Sequence, residues 1–269
     1  MGESVISSRA NARVKQLRAA FGGQARLSGG LVAIEGEHLV EEALRSGVSL
    51  KTVFLDGQRS TPKSLPREVE VIRLTGDVFR SAVETQAPQG IAALMMPPVF
   101  GLEDVLGSGG SAALILVAAG LQDPGNLGTL VRSAEAFGAT GVLTTPGTVS
   151  VWNQKALRAS VGSVFRVPVV GVTASELEGL KARGLRLIAA VGAEGDGVTF
   201  AQEMDFRGAC AVMIGNEGSG LGAEWMEMCD AKVTIPCPGP VESLNAAVAG
   251  SLLLCEASRQ RKISGDEEG

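Results

Sequence analysis

The sequence predicts an α/β protein: a small N-terminal α/β unit, then a larger C-terminal part built on a mostly parallel sheet with helices on both faces. Three observations predict it. From Ala112 onward, short apolar runs alternate with helical patterns at the spacing of βαβ units. Those runs are apolar throughout, as in strands covered on both sides. Upstream, residues 31–97 contain fewer and shorter alternations, closed by Pro97 and Pro98. The expected organisation is an N-terminal helix and small α/β domain over 1–98, a glycine-rich linker over 99–111, the large domain over 112–264 and an acidic tail over 265–269.

In chain order, residues 4–21 read as an amphipathic helix with Val14, Leu17 and Phe21 at helical spacing. LVAIEG, LKTVFLDG, VEVIRLTG and GIAALMM read as strands, with EHLVEEALRSG and TGDVFRSAVE as helices between them. The stretch from Phe100 to Ser111 shows no strong period. The second part begins with the strand AALILVAAGL and the helix NLGTLVRSAEAFG, then GVLTT and the helical VWNQKALRASVG. RVPVV, ASELEGLKARG, LRLIAAV, CAVMIG, a helix near GAEWMEMC, KVTIP and a long terminal helix complete it. GAEGDG (192–197) reads as a turn, because no helix follows it.

Composition narrows the chemistry. Hydrophobic residues make up 45% of the 269 residues and charged residues 20%, the balance of a globular protein. The run from Ala112 to Leu121 is too short to cross a bilayer, and the N-terminus lacks the apolar segment of a secretory signal, so a cytoplasmic location without a membrane partner is expected. The four cysteines are far apart and read as buried free thiols, with no zinc or redox spacing. His38 is the single histidine, which leaves no HExxH or multi-histidine metal centre. Any chemistry therefore rests on Arg, Ser, Asn, Glu, backbone groups and a cofactor. The net charge of −5 argues against broad nucleic-acid binding, yet residues 1–30 hold five cations against Glu3 alone, either a solvated helix face or a basic arm for phosphates.

Ligands in parallel sheets gather at the carboxyl ends of the strands, so three loops matter most. In LQDPGNLGTLVRSAEAFGA (121–139), Leu127, Leu130, Val131, Ala134 and Phe137 form one helical stripe and Arg132 projects nearly opposite it; Asn126 suits either an N-cap or a site. In CAVMIGNEGSGLG (210–222), a buried strand runs into Gly215, Gly218 and Gly220 around Glu217, without the GxGxxG or P-loop spacing of a dinucleotide or triphosphate site. In VTIPCPGPVESLNAAVAGSLLLCEA (233–257), a helix opens at Ser243, which reads as its N-cap, with Leu244, Val248, Leu252 and Cys255 on its buried face and Asn245 in its first turn.

Taken in order, these loops resemble the three signature motifs of the SpoU (SPOUT) RNA ribose methyltransferases, N-x-G-x-x-x-R-x-A-x-x-F-G, I-G-x-E-x-x-G and I-P-x-x-x-x-x-x-S-L-N. They stand here as NLGTLVRSAEAFG (126–138), IGNEGSG (214–220) and IPCPGPVESLN (235–245), with every signature position filled. Cys237 occupies a place where the family commonly has methionine. NARVKQLR and IEGEHLVEEAL are similar to the RNA substrate-binding domain that many members carry.

The resemblance implies a deep trefoil knot in the C-terminal sheet, S-adenosylmethionine as cofactor, and methyl transfer to the 2′-hydroxyl of an RNA ribose. It implies Gly215, Ile235 and Leu244 as cofactor-binding residues, Asn126, Arg132, Glu217, Ser243 and Asn245 as the polar active-site residues, and a homodimer with the site completed across the subunit interface. Guanidinium is a poor base, so Arg132 is expected to grip a phosphate and stabilise the developing alkoxide. Ser243 and Asn245 are expected to orient Arg132 or the ribose, and Glu217 to fix the loop or Arg132. The two-domain layout favours ribosomal RNA over tRNA. The rivals are a tRNA methyltransferase, a non-catalytic RNA-binding member, which would lack Arg132, Ser243 or Asn245, and a nicotinamide oxidoreductase, which would need GxGxxG after the first strand.

Overall fold

A computed structural model describes residues 5–24, 29–107, 112–192, 195–241 and 243–266, the side chains of 262–266 excepted. The chain divides into two compact units, one formed by 1–99 with 152–165, the other by 100–151 with 166–269.

In the first unit, strands β1 (Val5–Ile6), β2 (Val32–Glu35), β3 (Leu50–Asp56), β4 (Glu70–Leu74) and β5 (Ile91–Met95) form a mixed sheet in the order β1-β4-β3-β5-β2. Helices α1 (Ala12–Phe21), α2 (Glu37–Arg45) and α3 (Gly76–Ala82) belong to this unit. The expected helix over 4–21 is thus two elements, with residue 4 outside the described residues. Val5 and Ile6 pair in parallel with Arg73 and Leu74. The helix begins only after Asn11, whose side chain accepts from Arg13 N at 2.8 Å and so satisfies one free helical N–H. Val14, Leu17 and Phe21 are buried with Phe54, Leu74 and Phe79.

The segment 152–165 departs from the sequence reading. Its helix α6 (Gln154–Ser160) was expected in the 112–264 domain, but it lies in the first unit. β2 is an edge strand, and edges leave carbonyls unpaired. The buried Gln154 side chain fills that need, donating from Nε2 to Ala33 O at 2.8 Å. Val161 closes the helix with φ 51, a left-handed conformation that a β-branched residue rarely adopts. Gly162 follows with φ +89, and a Cβ there would lie 2.7 Å from Glu42 Cβ.

The second unit holds a seven-stranded, wholly parallel sheet in the order β10-β12-β9-β11-β6-β7-β8. The strands are β6 (Leu114–Ala118), β7 (Gly141–Thr144), β8 (Val169–Gly171), β9 (Arg186–Ala190), β10 (Val198–Phe200), β11 (Cys210–Ile214) and β12 (Ala231–Thr234). The central β6 and β11 are buried along their whole length. Alternate residues Ile115, Val117, Ala211 and Met213 meet Val105 of helix α4 (Leu102–Leu106), Leu177 and Leu180 of α7 (Ala174–Ala182), and Trp225 of α8 (Ala223–Met228). Helices α5 (Pro124–Ala136) and α9 (Ala246–Asp266) pack against each other, and both pack on β6. A Cβ on Gly250 of α9 would come within 2.4 Å of Leu130 Cδ2, so this glycine sets the close approach of the two helices.

Two further expectations are corrected here. The linker 99–111 contains α4, whose Val105 is buried; its residues 108–111 lie outside the described residues. Among the cysteines only Cys210 is buried, while Cys255 is exposed.

We expect Gly162→Ala to destabilise the protein by about 2 kcal/mol through the clash with Glu42 and the strained φ. Chemical denaturation checks this; an unchanged midpoint would show that the segment can leave its seat at no cost.

Candidate functional site

The C-terminal ends of three adjacent strands, β12, β9 and β11, open onto a cavity of about 360 Å³. Ile214 to Gly220, Val233 to Ile235 with Cys237, and Ser243 with Leu244 form its walls, closed by Ala249 and Leu253 of α9. Gly215, Ile235 and Leu244, the expected cofactor residues, all line it. A fourth segment, Ala190–Gly192 at the end of β9, completes the lining. Sequence reading missed it by treating 192–197 as a plain turn, although a strand end on this edge of a parallel sheet was the available signal. β10, six residues beyond Gly192 and at the edge of the sheet, was missed as well, being short and half-exposed.

Glycine is required at 215 by space. A Cβ there would lie 2.3 Å from Gly220 C and 2.4 Å from Leu221 N, both backbone atoms. The loop is turned back on itself by Asn216, whose N and O pair with Gly220 at 3.0 Å each way. Asn216 Oδ1 accepts from Gly218 N at 2.9 Å, and its Nδ2 donates to Gly120 O at 2.9 Å, tying the loop to the end of β6. Sequence reading did not single out Asn216, which stands at a variable position of the motif.

One polar residue from each motif meets at this cavity: Glu217 lines it, with Asn126 and Asn245 beside it. Glu217 accepts from Asn126 Nδ2 at 2.9 Å and from the backbone N–H groups of Asp123 (3.3 Å) and Gln122 (3.4 Å). With its amide nitrogen held by a carboxylate, Asn126 presents Oδ1 the other way, where it accepts from Asn245 Nδ2 at 3.1 Å. Asn245 Oδ1 in turn accepts from Ala247 N at 2.9 Å and Val248 N at 3.2 Å. The chain Asn245–Asn126–Glu217 therefore runs through all three signature motifs. Desolvation raises the Glu217 pKa, but the donors from Asn126 and the backbone outweigh it and hold the carboxyl below its ordinary value. Glu217 is an anion at neutral pH, suited to anchoring and unsuited to proton transfer.

Several local readings change. Asp123, rather than Asn126, caps α5 by accepting from Asn126 N at 2.9 Å, which frees the Asn126 side chain. The terminal helix begins at Ala246 with Asn245 in the capping position, so Ser243 is a cavity residue and no cap. Its buried face is also different: Ala247, Leu254 and Ala257 are buried, whereas Val248 and Leu252 are 47% and 46% exposed. Leu244, in the loop before the helix, is half-buried on the cavity. Spacing alone could not choose between two apolar stripes on one helix; Gly250 decides by letting its own side approach α5.

Arg132 does not line the cavity. It is exposed on α5 and makes no ion pair or side-chain hydrogen bond among the described residues. Six residues beyond Asn126, it lies about 9 Å further along the axis and about 120° around it. One chain thus assembles seven of the eight expected residues at or beside the cavity, with Arg132 apart.

The region 113–255 matches the model of the SpoU rRNA Methylase family. The chain belongs to this family. In this SpoU protein, residues 11–93 match the MRM3-like substrate binding domain. It is 36% identical over 250 residues to the Bacillus subtilis 23S rRNA (guanosine(2553)-2′-O)-methyltransferase RlmP, covering 93% of this chain and 97% of that one. It is 34% identical over 278 residues to the Streptomyces viridochromogenes 23S rRNA (uridine(2479)-2′-O)-methyltransferase, covering 97% and 93%. The crystal structure of the SpoU methyltransferase AviRb from Streptomyces viridochromogenes, in complex with AdoMet, superposes with a TM-score of 0.83 at 30% identity, covering 94% of this chain and 98% of that one.

Two outcomes test this site. Gly215→Ala should abolish cofactor binding in calorimetry, because the added methyl collides with backbone that cannot retreat. Glu217→Gln should lower stability at neutral pH. Since the native carboxyl is held low, that difference is present above the ordinary carboxylate pKa and fades as pH falls through the lower native value. A stability gap between wild type and variant that persists undiminished to pH ~2 would contradict the anchoring role.

Proposed function

We propose that this SpoU protein transfers a methyl group from S-adenosylmethionine to the 2′-hydroxyl of one ribose in 23S rRNA, acting as a homodimer in the cytoplasm. The observation that carries the proposal is the joining of three strand-end loops by Asn245, Asn126 and Glu217 beside a cavity lined by Gly215, Ile235 and Leu244. The cavity fits such a cofactor. Its volume is in the range of small-molecule sites, Ile235, Leu244 and Leu253 give it apolar walls, and the bare backbone of Gly215–Gly220 offers polar groups at close approach.

Gly215, Ile235 and Leu244 would hold the cofactor. S-adenosylmethionine, when bound, supplies a methyl carbon made electrophilic by its sulfonium. The protein must then set the ribose oxygen in line with that carbon and stabilise its negative charge as the proton leaves. Ser243 lies on the cavity wall and orients the ribose. Asn245 is held by Asn126, which Glu217 anchors in turn, so it supports the same orientation. Glu217 positions Asn126 and the Gln122–Asp123 turn within the chain. Arg132 grips the neighbouring phosphate and stabilises the developing alkoxide.

The separation of Arg132 from its own cavity is accounted for by a second copy. Val248 and Leu252 form an exposed apolar stripe on α9. Pairing two copies over this face buries the stripe and brings each Arg132 to the other chain's cavity. The trefoil knot belongs to the same reading. β12 lies between β10 and β9, and the chain then returns to lay α9 on β11 and β6. No described helix is long and apolar enough to cross a membrane.

Labelled methyl transfer to 23S rRNA and to tRNA from cells lacking the protein, followed by mapping of the 2′-O-methyl position, tests the activity; transfer to tRNA alone would overturn the substrate. Arg132→Ala should lower kcat by about 10² or more while leaving cofactor affinity nearly intact. Mixing Arg132→Ala with Gly215→Ala distinguishes the two ways Arg132 could act. If it acts on the partner's cavity, mixed dimers carry one complete site and activity returns to about a quarter of wild type. If it acts within its own chain, the mixture stays inactive.

A further inference from the structure

Charge is distributed unevenly between the two units. Residues 1–99 with 152–165 hold fourteen Lys and Arg against ten Asp and Glu, a net +4. The other unit holds ten against nineteen, a net −9. A polyanionic substrate is therefore attracted to the first unit and repelled by the second. Within the first unit the segment 152–165 is purely basic: it contains Lys155 and Arg158 and no acidic residue.

The seat of this segment separates its two faces. Ala156, Leu157, Ser160, Val164 and Phe165 are buried, and Gln154 is bonded to the edge of β2. Lys155 and Arg158 are both exposed, and at i and i+3 they share one side of α6. Arg158 makes no ion pair among the described residues, whereas Arg9, Arg13, Arg45 and Arg59 of the same unit each meet an acid. Gly162, just beyond α6, packs on Glu42, and Glu42 holds the exposed Arg45. The strained φ of Val161 and the glycine at 162 show that this seating is enforced by the surrounding structure at a conformational cost.

We propose that residues 152–165 are a working part of the RNA grip, with Lys155 and Arg158, flanked by Arg45, contacting phosphates of the substrate. In chain order the segment falls between the first and second signature motifs, yet it serves the substrate-binding unit. Two consequences follow. The RNA-binding surface is discontinuous in sequence, and the unit formed by 1–98 alone lacks both the cover of its β2 edge and part of its phosphate contacts. The identity of the RNA rests on the function proposed above; the binding role of α6 does not require catalysis.

The test compares the full-length protein with Lys155→Glu/Arg158→Glu, and with Arg183→Glu/Lys232→Glu as an equal change of net charge in the other unit. Affinity for a 23S rRNA transcript is measured across salt concentrations, alongside cofactor affinity, thermal stability and methyl transfer. The α6 variant should weaken RNA binding by about tenfold or more in ~0.1 M salt and reduce the salt slope by about 1.4, the value for two lost phosphate contacts at 0.7 each. Cofactor affinity and Tm should stay as in wild type. The control pair should change RNA affinity far less. Lys155→Arg, which keeps the charge, should bind as wild type does. Unchanged RNA affinity and slope in the α6 variant, or an equal loss in the control, would overturn the proposal, as would a wild-type protein that fails to bind the transcript. If wild type binds and the α6 variant does not, while wild type methylates no RNA, the grip stands and the catalytic reading fails.

Discussion

The site depends on one constrained anion. Glu217 sits at the end of a buried strand, where burial disfavours its charge, and it stays ionised because the donors of another loop converge on it. Those donors are the turn amides and side chain of the first motif, and through Asn126 the constraint extends to Asn245 at the mouth of α9. A charge-assisted hydrogen bond is worth more than a neutral one, and leaving such a carboxylate unpaired costs more still. Loops that would otherwise move independently are thereby held as one body. The cavity walls inherit their geometry from that network and from the collision that forbids a side chain at Gly215.

The terminal helix serves two surfaces at once. Its buried side, through Gly250, Leu254 and Ala257, lies close on α5 and the central strands, while Ala249 and Leu253 close the cavity. Its other side leaves Val248 and Leu252 in solvent. A helix apolar on both sides is incompletely covered within a single chain, and in the proposed dimer a second copy covers the exposed stripe. Cofactor seat, helix packing and subunit pairing are in this reading consequences of a single element.

Charge separation complements this arrangement. The unit that holds the cavity is strongly acidic and the other basic, so in the proposed function the affinity for RNA and the chemistry on it come from different parts of the chain. Such a division limits nonspecific capture by the catalytic unit, because a polyanion meets repulsion there unless it is held in place by specific contacts. The lodging of α6 in the basic unit shows that the division follows tertiary packing and not chain order.

What was legible in the sequence was local and periodic. Strand and helix alternation, apolar through-and-through strands, and loops of Gly, Pro and Asn at strand ends follow from pairing rules and backbone sterics that act over a few residues. They placed the candidate loops at strand ends; the resemblance of those loops to the SpoU motifs then singled out Gly215, Glu217, Ile235, Ser243 and Leu244, which line one cavity, and Asn126 and Asn245 beside it. Three things lay beyond that range. Which of two apolar stripes on α9 is buried depends on how closely α5 approaches, a matter of Gly250 against Leu130 across more than a hundred residues. The unit to which 152–165 belongs depends on an open strand edge at Ala33 that Gln154 happens to complete. Where Arg132 lies relative to the cavity depends on how α5 packs on α9 and β6, which leaves it exposed and off the lining. In each case the deciding contact joins residues distant in sequence, where periodicity holds no information and packing alone makes the choice.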